Sequence, residues 1–136
     1  MKIKTIFILS NLLAILTAFS QTKSILPPIN GIFCGKFGPD DPKKYVIYSM
    51  EELKQCDLKI SAIDTNYFVT DFKMSLVPKD DSYKYSEIKI NSNRIPEKYR
   101  SQILNHTQII LLEFINSQNI KGESRLVKPI GLRIQN

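Results

Sequence analysis

The chain has 136 residues, 43% of them hydrophobic and 24% charged, and its formal net charge is +6. That length bounds it to one domain able to build a proper core without help from a metal. Two cysteines and one histidine supply too few soft ligands for a zinc site. Basic residues lie interleaved with acids, and Lys43–Lys44 is the longest basic run, which argues against a nucleic-acid groove.

The first twenty residues read as a secretory signal peptide. Lys2 and Lys4 form a basic start, and an apolar run of about fifteen residues follows from Thr5 to Phe19. Ala18 and Ser20 then place small side chains three and one positions before a cut ahead of Gln21. A bilayer-spanning helix wants ~20 apolar residues, and this shorter run holds Ser10, Asn11 and Thr17. An uncleaved anchor is the alternative, and no cysteine stands at the cut to accept a lipid. Cleavage would remove two lysines and no acid, leaving residues 21–136 with a charge of +4.

Pro27 and Pro28 favour an extended entry, and Asn30 to Lys44 is rich in glycine and proline, so it reads as turns with short strand pieces. Tyr45 to Tyr48 favours a strand. Ser49 with Glu52 three residues later forms a capping box, which predicts a short helix over Met50 to Cys56. Leu58 to Ile63 alternates as a strand. Tyr67 to Val77 places Phe68, Phe72, Met74 and Leu76 on one face. Tyr83 to Asn91 reads as a strand whose apolar parity shifts between Tyr85 and Ile88, which predicts a bulge. Arg94 to Asn105 suits a short covering helix or compact turn, with Pro96 as a first helical residue. Gln108 to Asn116 is apolar on both faces apart from Glu113 and suits a central strand. A polar turn around Gly122 follows. The last strand is Leu126 to Ile134, with Pro129 at an edge or a strand start. No internal repeat or low-complexity tract interrupts the pattern. The expected fold class is all-β (mainly), an antiparallel β-sandwich with one or two short helices.

Cys34 and Cys56 would pair in an oxidising compartment, closing a loop of about 23 residues worth ~3 kcal/mol. Two buried free thiols are the alternative.

The order of these features resembles the C-terminal domain of the GldM family, periplasmic components of the gliding-motility and type IX secretion machinery of Bacteroidetes bacteria. Val69, Phe72 and Met74 match a strand motif of that family. Asn93, Ile95 and Glu97 match its turn before a short helix, and Lys128, Pro129, Ile130, Leu132 and Ile134 match its closing strand. The resemblance spans Ile25 to Ile134. It implies an immunoglobulin-like β-sandwich that contacts other proteins, and it supplies no catalytic residues. Full-length relatives carry a membrane helix and several domains. Here a cleavable leader and one domain are expected, so the motor role is not implied.

Three groups of residues are candidates for chemistry. His106, the sole imidazole, is the only residue around which a Ser-His-Asp or Cys-His arrangement could be built, but "NHTQ" at a strand entry suits an exposed or capping histidine. Asp40–Asp41 and Asp80–Asp81 could share a proton or hold a cation, although adjacent acids in turn-like sequence suit solvated turns. The six tyrosines (Tyr45, Tyr48, Tyr67, Tyr83, Tyr85 and Tyr99) offer either a contact surface or half-buried strand positions. No catalytic set, cofactor or metal is expected. The function expected is an exported, non-catalytic protein-interaction domain in the periplasm or secreted, whose partner is an envelope or secreted protein. No nucleic acid is expected as a partner, and no membrane insertion after cleavage. A small secreted hydrolase, or a ligand-binding or inhibitor β module, is the alternative.

Overall fold

The computed structural model describes residues 26–135 apart from 42. The leader at 1–20 and its cut lie outside the described residues. The fold is mainly β, as expected, with nine strands and two short helices among the described residues.

A short sheet forms first. β1 (Gly31–Phe33) and β2 (Lys36–Phe37) make a hairpin whose two turn residues, Cys34 and Gly35, both have positive φ. That is the backbone a tight primed turn needs. β4 (Ile60–Ala62) pairs antiparallel with β1. The stretch around Asn93 to Ile95 pairs with the other side of β4: Ile60 N–H donates to Asn93 O and Ile95 N–H to Leu58 O.

The larger sheet runs β3-β9-β7-β5-β6, from β3 (Tyr45–Ser49) through β9 (Ile130–Gln135), β7 (Thr107–Gln118) and β5 (Phe68–Pro78) to β6 (Ser86–Ile90). β7 is central, as its two-sided apolar sequence predicts. β8 (Ser124–Val127) lies on the same side of β7 as β9 and in the same register, from Gln118↔Ser124 to Ile109↔Arg133. The expected strand Leu126–Ile134 is therefore one line interrupted at Lys128–Pro129, where proline has no N–H to give. Ile29 covers the outer edge of β8 with two backbone hydrogen bonds.

The antiparallel expectation is corrected at one place: β3 pairs with β9 in parallel. Alternation of side chains carries no strand direction, so the sequence pattern could not show this. A second correction concerns β5, where Phe68 is 51% exposed and Val69 is buried. The cause is a pair of compensating bulges. Between Lys73↔Glu113 and Asp71↔Asn116, β7 carries an extra residue; between Asp71↔Asn116 and Val69↔Ser117, β5 carries Thr70 as its extra one. Each strand thus flips its facing, and the register is restored. A third correction is β6. It starts at Ser86 and pairs without a shift, so the parity change at Tyr85 marks the strand's beginning and not a bulge.

α1 (Met50–Gln55) begins with the expected capping box: Glu52 N–H donates to Ser49 Oγ and Ser49 N–H to Glu52 Oε1. Cys56 is its C-cap, one residue beyond the helix. A 3-10 turn at Glu97–Tyr99 leads into α2 (Arg100–His106), with Pro96 just before the turn. The core joins both sheets. Phe33 and Ile60 of the small sheet belong to one buried cluster with Tyr48, Phe72, Met74 and Leu112 of the large one.

Candidate functional site

The two terminal strands of the larger sheet are treated differently. On β6, Glu87 and Lys89 point away from the core and face charged partners on β5. Lys89 Nζ lies 2.9 Å from Asp71 Oδ2, and Lys73 Nζ 3.6 Å from Glu87. Tyr85 donates to Glu87 at 2.8 Å. A charged edge of this kind discourages pairing with another strand. The Asp71 carboxyl is partly buried, which alone would raise its pKa. Hydrogen bonds from Lys89, Thr70 and Asn116 outweigh burial and hold it below the usual carboxylate range.

β3, at the opposite end, has no such protection. Val46 and Tyr48 turn inward, whereas Tyr45 and Ile47 face out and are 42% and 51% exposed. Register places Ile47 beside Arg133, which is beside Ile109, which is beside Val77. Tyr45 lies beside Gly131, and a Cβ on that glycine would come within 2.8 Å of the tyrosine ring. Arg133 sits over the same ring at 5.5 Å. The outer face therefore carries exposed Tyr45 and Ile47 with one cation, Arg133, at the β3 end and paired charges at the β6 end.

One side chain reaches across the β3 edge. Lys36, on β2, donates to Ile47 O at 2.8 Å, pairs with Glu52 Oε2 at 2.7 Å and sits 4.8 Å over the Tyr48 ring. Its hydrogen bond is the main reason the Glu52 carboxyl lies below its ordinary pKa. A flexible lysine is the only side chain hydrogen-bonded to that carbonyl among the described residues.

The disulfide between Cys34 and Cys56 is present, with Cα atoms 5.4 Å apart. It ties the β1–β2 turn to the end of α1. The residues singled out for catalysis do not gather. His106 ends α2 and stacks on Tyr83 with centroids 4.0 Å apart; its buried Nδ1 has no hydrogen-bond partner among the described residues. Asp80 accepts from the hydroxyl and backbone N–H of Ser82, and chiefly that hydroxyl keeps its pKa low. A triad needs its hydroxyl to bond histidine, and this serine bonds the acid instead. Asp40 accepts from Asn30 at 3.1 Å and lies 3.7 Å from Lys128, while Asp41 accepts the Lys43 N–H at 3.0 Å. Asp41 thus holds a turn, while Asp40 contacts Asn30 and Lys128 from more distant segments. Among the described residues no group of three or more His, Cys, Asp or Glu could hold a metal.

The tyrosines divide. Tyr48 is fully buried, Tyr67 and Tyr99 pack partly against the core, and Tyr45, Tyr83 and Tyr85 are exposed. Of the residues matched to the GldM pattern, Val69, Phe72, Met74, Ile95, Ile130 and Leu132 are buried, and Ile134 is partly so. Asn93 serves through its backbone carbonyl, Glu97 pairs with Arg100, and Pro129 marks the β8–β9 break. A surface cleft of about 200 Å³ lies beside β4 and the start of β5, lined by Lys59, Ser61, Thr65, Tyr67, Phe68 and Asn93 among others.

Two residues escaped the sequence reading. Lys36 looks like any loop lysine until its ammonium meets the Ile47 carbonyl of β3. Arg100 donates to the carbonyls of Leu53, Lys54 and Cys56 and forks onto both oxygens of Glu97. It thereby satisfies the open end of α1 from a segment more than forty residues away. Only the i,i+3 spacing of Glu97 and Arg100 was visible beforehand.

No family model matches this chain, and no curated protein matches it significantly.

Proposed function

We propose that the chain is an exported, non-catalytic domain that binds another protein in the bacterial periplasm. In this reading residues 1–20 are removed, the two sheets stack as an immunoglobulin-like sandwich of the GldM C-terminal kind, and no cofactor, metal or nucleic acid takes part. One observation carries it: a terminal strand presents exposed Tyr45 and Ile47, while the opposite terminal strand is covered by paired charges. Large exposed apolar groups on a terminal strand, paired on one side only, suit strand addition by a partner chain.

The disulfide supports an oxidising compartment. No helix among the described residues is long and apolar enough to cross a membrane. A ligand-binding module would want a pocket of roughly 300–1,000 Å³. The cleft beside β4 is smaller, about 200 Å³, and buried side chains of both sheets belong to one cluster. The Ser82–Asp80 hydrogen bond weighs against the hydrolase alternative.

The test is capture of partners from envelope extracts in several growth states, using the mature chain with a photoreactive group at surface positions. The same envelope protein should return in independent captures. Recovery of no reproducible partner in any state would defeat the reading.

A further inference from the structure

We infer that the open edge of β3 receives an extended, acidic segment of a partner protein, which adds as a strand beside Tyr45 and Ile47. This deepens the protein-binding reading above and rests on it.

The backbone sets the opportunity. In a parallel pair, alternate residues of a strand turn their N–H and C=O groups away from the neighbour. Ile47 O accepts from Lys36 Nζ, so Ile47 is one of the outward-turned residues of β3. Ser49 is already engaged by the α1 capping box, so Tyr45 and Ile47 are where a new strand could pair. An incoming N–H would replace Lys36 at the Ile47 carbonyl. That exchange requires only that a flexible side chain swing aside, because Lys36 keeps Glu52 as its ion partner.

Charge selects the occupant. Arg133 stands beside Ile47 on the outer face, and Lys43 and Lys44 lead into Tyr45. None of these three has a carboxylate within ion-pairing distance among the described residues, whereas Lys73 and Lys89 at the β6 end are all paired. An extended segment alternating apolar and acidic residues would lay its apolar side chains along Ile47 and Tyr45 and its carboxylates toward the cations. A second copy of this chain is the poorer occupant. It would bring Arg133, Lys43 and Lys44 against their own duplicates, in a molecule that keeps a charge of +4 once residues 1–20 are removed.

The test uses the isotope-labelled mature chain and two synthetic peptides, one alternating valine with glutamate and one alternating valine with lysine. Backbone amides are followed by chemical shift and hydrogen exchange. The glutamate peptide should shift and protect the Tyr45 and Ile47 amides, and raised salt should weaken it. Ile47→Lys, with its fold confirmed by the unchanged spectrum of β5 and β7, should weaken binding by about tenfold or more. Equal response to both peptides, protection at β6 in place of β3, no response at β3, or self-association abolished by Ile47→Lys would each overturn the inference. Extract capture separates this failure from the broader one. If Ile47→Lys still recovers the partner, the protein-binding reading stands and the β3 assignment falls; if the unaltered chain recovers none, both fall.

Discussion

The Tyr48 hydroxyl donates to the Phe33 carbonyl at 2.6 Å, and both residues are wholly buried. Their rings meet edge-on at 5.9 Å. Burial pushes the Tyr48 hydroxyl far above the ordinary tyrosine range, and the Glu52 charge adds to the effect, so it remains a neutral donor. This one bond links β3 of the large sheet to β1 of the small one. Tyr48→Phe keeps the ring and strands a buried carbonyl, so stability should fall by about 1–3 kcal/mol. Urea unfolding of the two proteins checks this. An unchanged midpoint would mean that the carbonyl finds another partner.

The Cys34–Cys56 bridge closes a loop with a sequence separation of 22. Replacing both cysteines with alanine should lower stability by about 3 kcal/mol in the chain-entropy account. Unfolding with and without reductant gives the same comparison on the unaltered chain. Coincident curves for an intact and a reduced sample would remove the bridge from the stability of this domain.

Phe114 sits in the central strand with φ 49° and is 66% exposed. It belongs to the bulge that flips β7, and a β-branched residue is strained at such a φ. Strand preference alone would rank valine above asparagine here; the backbone reverses that order. Phe114→Asn should exceed Phe114→Val in stability by about 1 kcal/mol. Thermal melts of both variants decide the matter, and valine coming out ahead would contradict the bulge.

Asp71 has a folded pKa below its unfolded value of about 3.9. Its contribution is therefore complete above that unfolded value and is lost as pH falls through the lower, folded one. Stability measured between neutral pH and strong acid should drop at the acid end. Asp71→Asn should make that drop shallower while leaving the acid-most value little changed. A variant with the same acid slope as the parent would show that other carboxylates carry it.

Much of the local structure was legible in advance. The capping box of Ser49 and Glu52 fixed the start of α1, the two-sided apolar run marked β7 as central, and the turn at Gly122 closed the β7–β8 hairpin. Candidate chemistry was less legible. Only the coordinates reveal that the Ser82 hydroxyl bonds Asp80 and that the His106 imidazole stacks on a tyrosine ring. Tyr48 and Tyr45 are three residues apart and similar in sequence terms, yet one is sealed in the core and the other lies on the surface.

What the sequence determined by itself were the features written within a few residues: alternation, capping, turns and the two cysteines available to pair. Those rest on neighbouring groups, whose geometry hardly depends on the rest of the chain. Tertiary structure alone decided the parallel pairing of β3 with β9, the compensating bulges at Thr70 and Phe114, the reach of Lys36 to Ile47, and which strand end is left apolar. Each of these is set by segments that meet across many residues of chain, where the shape of the packed partner, and no local preference, chooses the outcome.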